Sequence, residues 1–149
     1  MRNSPVAKTV AADGRDHMKN LRWLEMESEI IVPFEAPRPG RQCLFMAAEF
    51  NLEVEKAGFS AAASAEQRYL GEHTRIARRL PGVRFYMVGR LIEAAGQIPD
   101  RLRIAFLAFD DIVALRAAYR SPVGVELIKD EEATIADARV YRMDATVQI

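Results

Sequence analysis

The stretch Ser64-Ala-Glu-Gln67-Arg-Tyr69-Leu-Gly-Glu-His73-Thr-Arg-Ile76-Ala-Arg-Arg-Leu80-Pro81-Gly82-Val83-Arg-Phe85-Tyr86-Met87-Val88 changes its apolar period part-way along. Up to Leu80 the spacing is helical. Tyr69, Leu70, His73, Ile76, Ala77 and Leu80 make one stripe, while Glu66, Arg68, Glu72, Arg75 and Arg79 fall mostly on the other side. Ser64, with Gln67 three positions later, is a capping-box signature that places the helix start there, after a small-residue loop around Gly58. Pro81 and Gly82 stop the helix, because proline disfavours helical geometry in the residue before it and glycine readily takes the turn conformations that follow. From Val83 the period drops to two: Val83, Phe85 and Met87 alternate with Arg84, Tyr86 and Val88, which predicts a strand reaching toward Ile92.

Working outward, Leu44, Met46, Ala48, Phe50 and Leu52 alternate with Cys43, Phe45, Ala47, Glu49 and Asn51, so a strand precedes the helix. After the second strand, Ala94 to Asp100 reads as a hairpin loop. Leu102, Ile104, Phe106 and Ala108 then form a third strand whose second half, with Ala105, Leu107 and Phe109, is apolar on both faces, as expected of the central strand. Asp110 or Asp111 can cap a helix over Ile112 to Tyr119. Ser121-Pro-Val-Gly124 breaks it, and a further short helix carries Val125, Leu127, Ile128 and Ile135. In the last strand Tyr141, Met143, Ala145, Val147 and Ile149 oppose Arg142, Asp144, Thr146 and Gln148, so one face is expected to be buried. The order β-α-β-β-α-β predicts an α+β fold of ferredoxin-like topology, with two helices on one face of an antiparallel sheet. Phe45, Phe109 and other apolar groups are expected on the uncovered face, where packing against a second copy would shield them.

The segment before Gln42 differs in composition. Pro33, Pro37, Pro39 and Gly40 cannot sustain a helix or a central strand, so residues 1–41 are read as an N-terminal extension or arm and 42–149 as the domain. Trp23, Ile30, Ile31 and Phe34 would be costly to leave in water, at roughly 1.5–3 kcal/mol for each side chain, so this arm is expected to dock on the domain or on a partner subunit. The 149 residues are 50% apolar, enough for one sizeable core, and lysine plus arginine equals aspartate plus glutamate at 21 each. No overall field draws the chain to nucleic acid or to a membrane. Cys43 is the only cysteine, Met1 to Asp16 has no signal-peptide core, and no apolar run reaches bilayer length, so a cytoplasmic protein is expected.

The run from Tyr69 through His73 to Leu80-Pro81-Gly82 and Tyr86 resembles the histidine helix of the EthD family, where an aromatic precedes a histidine and a Leu-Pro-Gly turn leads into a strand containing tyrosine. Ala105 to Asp110, Leu115 to Ser121-Pro-Val-Gly124, and Asp130 are similar to that family's third strand, second helix and small-residue turn. The resemblance runs from Gln42 to the C-terminus. The family often has tryptophan after the tyrosine of this helix, where this chain has Leu70. The resemblance implies a dimeric α/β barrel in a superfamily that includes polyketide cyclases, muconolactone isomerases, cofactor-independent monooxygenases and haem-degrading enzymes. Fold alone does not choose among them.

His73 is the candidate acid/base, being the only titratable group inside an apolar stripe and having an ordinary pKa near neutrality. A neutral buried imidazole can take a proton from a carbon acid or phenol and return it. The plainer alternative is a core histidine bonded to a carbonyl. Tyr69, four residues earlier, and Tyr86 on the next strand are candidates to orient a substrate, although core aromatics with hydroxyls at the rim share that pattern. Phe45 and Phe106 are candidate aromatic lining. Asp130 could orient His73 or bind a substrate hydroxyl, yet a carboxylate between Lys129 and Glu131 also suits a solvated helix face. No Cys/His cluster, glycine-rich phosphate cradle or G-x-S-x-G elbow is present, so neither metal nor nucleotide cofactor is expected. Arg75, Arg78, Arg79 and Arg84 are interleaved with Glu66 and Glu72 and lack a stacking platform, which argues against nucleic acid. The expected function is binding of a small hydrophobic or aromatic metabolite, with cofactor-independent lyase, isomerase or cyclase chemistry at His73. The alternative is a non-catalytic, metabolite-binding accessory dimer.

Overall fold

The helix that returns into a strand is present, and it crosses one face of an antiparallel sheet. The structure is a computed structural model that describes residues 25–34, 42–52, 59–92 and 102–146. Its strands are β1 (Glu25–Val32), β2 (Gln42–Leu52), β3 (Phe85–Ile92), β4 (Arg103–Phe109) and β5 (Ile135–Thr146). The helical segments are α1 (Phe59–Arg68), a π-helical turn (Tyr69–His73), α2 (Thr74–Ala77), α3 (Ile112–Arg120) and α4 (Pro122–Thr134).

The sheet order is β1-β3-β4-β2-β5, with every neighbouring pair antiparallel. β2 to β5 make the ferredoxin-like four-stranded sheet, and β4, apolar almost throughout, is the middle strand. β1 comes from the segment before Gln42 and adds a fifth strand along the outer edge of β3, from Glu25 opposite Ile92 to Val32 opposite Tyr86. Beyond it, the Phe34 ring leans on Phe45 and meets Phe85 edge-on, at centroid distances of 5.7 and 6.0 Å. That stretch therefore docks on the sheet of its own chain. Residues 1–24, 35–41, 53–58, 93–101 and 147–149 lie outside the described residues.

Several expectations are corrected. The first helix starts by Phe59, so Ser64 lies inside it rather than at its cap; the alanines at 61–63 have the highest helix propensity of any residue and carry the helix back past the capping box. Leu70 is exposed while Thr74, not assigned to the stripe, is buried, because the π turn shifts the residues around it on the helix surface. Ile135 opens β5 rather than closing the last helix. Phe109 pairs with Leu44 on the helix-covered face and is fully buried. Tyr141 and Met143 in β5, expected to be buried, are 50% and 62% exposed, since they lie on the sheet face that no helix covers.

The core fills the gap between the helices and the covered face, with Phe50, Leu52, Phe109 and Leu127 fully buried. Each contributes on the order of 1.5–3 kcal/mol. Asp111 caps α3 by accepting from the Ala114 N–H at 2.8 Å, and Ser121 caps α4 by accepting from the Gly124 N–H at 3.1 Å. Gly124 sits where α4 meets the end of α3, and a Cβ there would overlap the Ala118 carbonyl and the Tyr119 backbone.

Candidate functional site

The π turn sets the site. The Thr74 N–H donates to the Tyr69 carbonyl, five residues back, and the Thr74 hydroxyl donates to the Leu70 carbonyl. A single π turn inside an α-helix widens the coil and is frequently found at functional sites. Here it stacks the Tyr69 ring on the His73 ring, with centroids 4.7 Å apart and planes 18° apart. Both residues are buried.

α4 supplies the opposite wall. Its inward face follows Gly124, Leu127, Glu131 and Thr134, a helical spacing that leaves Asp130 at the border of that face. Asp130 Oδ2 lies 2.7 Å from His73 Nδ1, and Asp130 Oδ1 lies 3.7 Å from Arg68 Nη2. A carboxylate can only accept, so Nδ1–H donates to Asp130 and Nε2 is left as the acceptor of the neutral ring. Burial lowers the His73 pKa below its ordinary value, and the Asp130 carboxylate only partly offsets that. At neutral pH the imidazole is uncharged and oriented.

A hollow opens between these helices and the sheet. Met46, Ala48 and Phe50 of β2 form its floor with Ala105 and Leu107 of β4 and Tyr86 of β3; Tyr69, His73, Ala77, Tyr119, Leu127, Glu131 and Ile135 form its walls. The cavity itself measures about 40 Å³, and the free space including its mouth about 350 Å³. The Tyr69 and Tyr86 hydroxyls are shut off from solvent and have no hydrogen-bond partner of good geometry. Burial raises both their pKa values, and each hydroxyl lies within the other's electrostatic reach, so both rings stay protonated. Burial also pushes the Glu131 carboxyl up to about 7, with the neighbouring Asp130 adding to the rise.

Of the residues singled out in the sequence, His73, Tyr69 and Tyr86 line this hollow and Asp130 holds His73 from behind. Phe45 and Phe106 are not brought there: they pair with Ala108 and Ala47 on the open face of the sheet, against Phe34 and β5. Glu131 and Tyr119 were not anticipated. The signal for Glu131 was present, since it lies four residues after the buried Leu127, but the run Asp130-Glu131-Glu132 reads as a solvated surface. Among the described residues no group of three histidine, cysteine, aspartate or glutamate side chains could hold a metal ion. None of the described helices is long and apolar enough to cross a membrane.

A ferredoxin-like α+β sheet with helices on one face recurs in solved structures. An EthD family protein from Bacillus halodurans superposes with a TM-score of 0.54 at 19% identity, covering 72% of this chain and 99% of that one. A DABB family protein with a ferredoxin-like fold from Mesorhizobium loti gives 0.53 at 15% identity, covering 72% and 98%. A dimeric ferredoxin-like protein of unknown function from Thermobifida fusca gives 0.51 at 12% identity, covering 74% and 98%. No protein-family model matches the sequence, and no curated protein does. The chain thus has the ferredoxin-like α+β fold that EthD and DABB family proteins share.

Proposed function

We propose that this chain is an EthD-like homodimeric protein whose hollow receives the polar end of a small hydrophobic or aromatic metabolite, and that His73 moves a proton on it without a cofactor. One observation carries this reading: an oriented, neutral imidazole and two buried tyrosine hydroxyls that make no well-formed hydrogen bond to the protein converge on the same cavity. Buried hydroxyls without partners are rare in native proteins, and a ligand carbonyl or phenol would supply the missing acceptor. A cavity of about 40 Å³ has room for roughly three waters, so a ring sits toward the mouth with only its polar edge inside.

In this reading the Tyr69 and Tyr86 hydroxyls donate to the substrate oxygen, which makes the adjacent carbon or hydroxyl more acidic. His73 Nε2 takes the proton, and Asp130 stabilises the imidazolium so formed. The same ring returns the proton elsewhere on the molecule, which is the step shared by lyases, isomerases and cyclases of enolisable compounds. The open sheet face, with Ile30, Tyr141 and Met143 exposed beside Phe34, Phe45 and Phe85, supports a second copy as its cover.

Tyr86→Phe tests the site. Removing a hydroxyl that has no partner is expected to leave stability unchanged or raise it by up to about 1 kcal/mol, while phenol binding measured by calorimetry weakens about tenfold. A destabilised variant that binds phenol normally contradicts the reading. Binding by the wild type that persists in His73→Asn, with no turnover of enolisable esters or lactones by either, identifies an accessory binder instead.

A further inference from the structure

That mechanism uses His73, Tyr69 and Tyr86 of the lining and leaves the carboxyl there unused. Glu131 lines the hollow beside Leu127, one residue beyond the Asp130 that holds His73. Its backbone carbonyl accepts from the Ile135 N–H, while its carboxyl takes part in no hydrogen bond or ion pair among the described residues. The titratable groups around it are Asp130 on its own helix, Tyr69 and His73 in the π turn, Tyr86 on β3 and Tyr119 on α3. Among the described residues no lysine or arginine lines the cavity; Arg103, whose charge reaches Tyr69, is paired with Glu66.

We infer that Glu131 is the proton donor of the site, acting opposite the His73 base on an uncharged carbonyl compound; the inference rests on the reading of the hollow as a proton-transfer site. The wall favours that division of labour. His73, with Nδ1 held by Asp130, offers a lone pair, whereas a half-buried carboxyl with no cation among its described neighbours on the lining is favoured in its protonated form. Burial places its titration near 7, the range in which a carboxyl can both give and regain a proton at neutral pH. A ligand carboxylate would lie beside Glu131 with no positive group among the described lining residues to offset it, so the site selects against acids.

The step balances within the site. The α-carbon of the ligand loses its proton to His73 Nε2, the electron pair moves into the new carbon–carbon double bond, and the carbonyl oxygen takes the Glu131 proton. In the return half the enol hydroxyl gives its proton back to the Glu131 carboxylate while the imidazolium protonates carbon. No electrons enter or leave, and no co-reactant is needed. Tyr69 and Tyr86, both held protonated, assist by donating to the same oxygen.

Solvent exchange reads this directly, with acetone as the probe because its few atoms suit the small cavity. The full-length protein is incubated with acetone in deuterium oxide and the loss of methyl proton signal is followed by NMR across the pH range. The wild type is expected to exchange acetone, with a rate that falls as the pH rises through about 7. Glu131→Gln is expected to slow exchange on the order of 10²-fold and to lose that alkaline fall. Glu131→Asp, which keeps the acid on a shorter arm, is expected to retain the fall at an intermediate rate, and it serves as the test variant if Glu131→Gln does not fold. Pyruvate, the same ketone bearing a carboxylate, is expected to exchange no faster than the buffer allows. Exchange by the wild type that Glu131→Gln leaves unchanged in rate and profile overturns the donor role alone. Pyruvate exchanging as fast as acetone overturns the selection against acids. A wild type no faster than His73→Asn removes the parent reading and this one with it.

Discussion

Glu131 and His73 respond to the same hollow in opposite directions: burial raises the carboxyl and lowers the imidazole, so both are driven toward their uncharged forms. The consequence for stability has opposite sign in the two. A carboxyl raised from 4.5 to about 7 binds a proton in the folded state that the unfolded chain has released, so folding weakens as the pH rises across that window. The lowered histidine weakens folding as the pH falls below 6.5 toward its folded value. Glu131→Gln isolates the first effect. At pH 8 the variant is expected to be more stable than the wild type by up to about 3 kcal/mol in urea unfolding, with the difference vanishing near pH 4. A difference that does not change with pH would show that the carboxyl is solvated. His73 was legible in the sequence because it interrupts an apolar stripe, and Asp130 could be named as a residue to orient it, but Glu131 was not legible: the two carboxylates sit in one charged run, and only the rotation of α4 separates the residue that faces the imidazole from the one that faces the cavity.

At the scale of elements, the helix crossing the sheet and the junction between α3 and α4 decide where those side chains go. The change of period at Pro81-Gly82 and the alternation in β2, β3 and β4 were readable because a half-buried strand and a one-sided helix each repeat their apolar residues at a fixed interval. The π turn was not, since nothing in Tyr69-Leu-Gly-Glu-His73 distinguishes five residues of π helix from five of α; it is fixed by packing against α4 and the sheet. Nor could Ser64 be recognised as interior while the alanines before it were read as a loop. The junction gives a prediction. Because a Cβ at residue 124 would collide with backbone rather than with a side chain that can move, Gly124→Ala must push α4 away from α3. A loss of about 1–3 kcal/mol is expected, and with it weaker phenol binding as Tyr119 and Glu131 separate across the hollow. A melting temperature equal to the wild type's would mean that the helices can part freely and that the cavity does not depend on their contact.

For the whole molecule, the sheet has one closed face and one open face, and the open one is strongly apolar. Phe34, Phe45 and Phe85 cluster at one end, and β5 adds Tyr141, whose hydroxyl donates to Glu49 at 3.4 Å, and Met143. The ferredoxin-like order was legible from the succession of elements, and the need to cover this face followed from having two helices for two faces. The fifth strand was not legible: Glu25–Val32 carries carboxylates at alternate positions and is followed by Pro33, a pattern suited to an outer edge, where a strand needs only one neighbour. If two copies pack through the open faces, Met143→Asp places a charge in the seam. The wild type is expected to elute as a dimer in light-scattering chromatography and the variant as a monomer; equal masses for the two contradict a dimer through this face.

The central claim is that the His73 imidazole looks into a space a guest can enter, and the chain's two histidines make it directly measurable. In protein labelled with nitrogen-15 at histidine, long-range proton–nitrogen NMR resolves Nδ1 from Nε2 in each ring. Adding phenol is expected to shift the His73 Nε2 signal saturably while Nδ1 keeps the shift of a protonated nitrogen bonded to Asp130, and free imidazole in the same sample gives the reference for non-specific effects. A His73 ring whose signals stay in place at saturating phenol, or drift only as free imidazole does, would contradict the account.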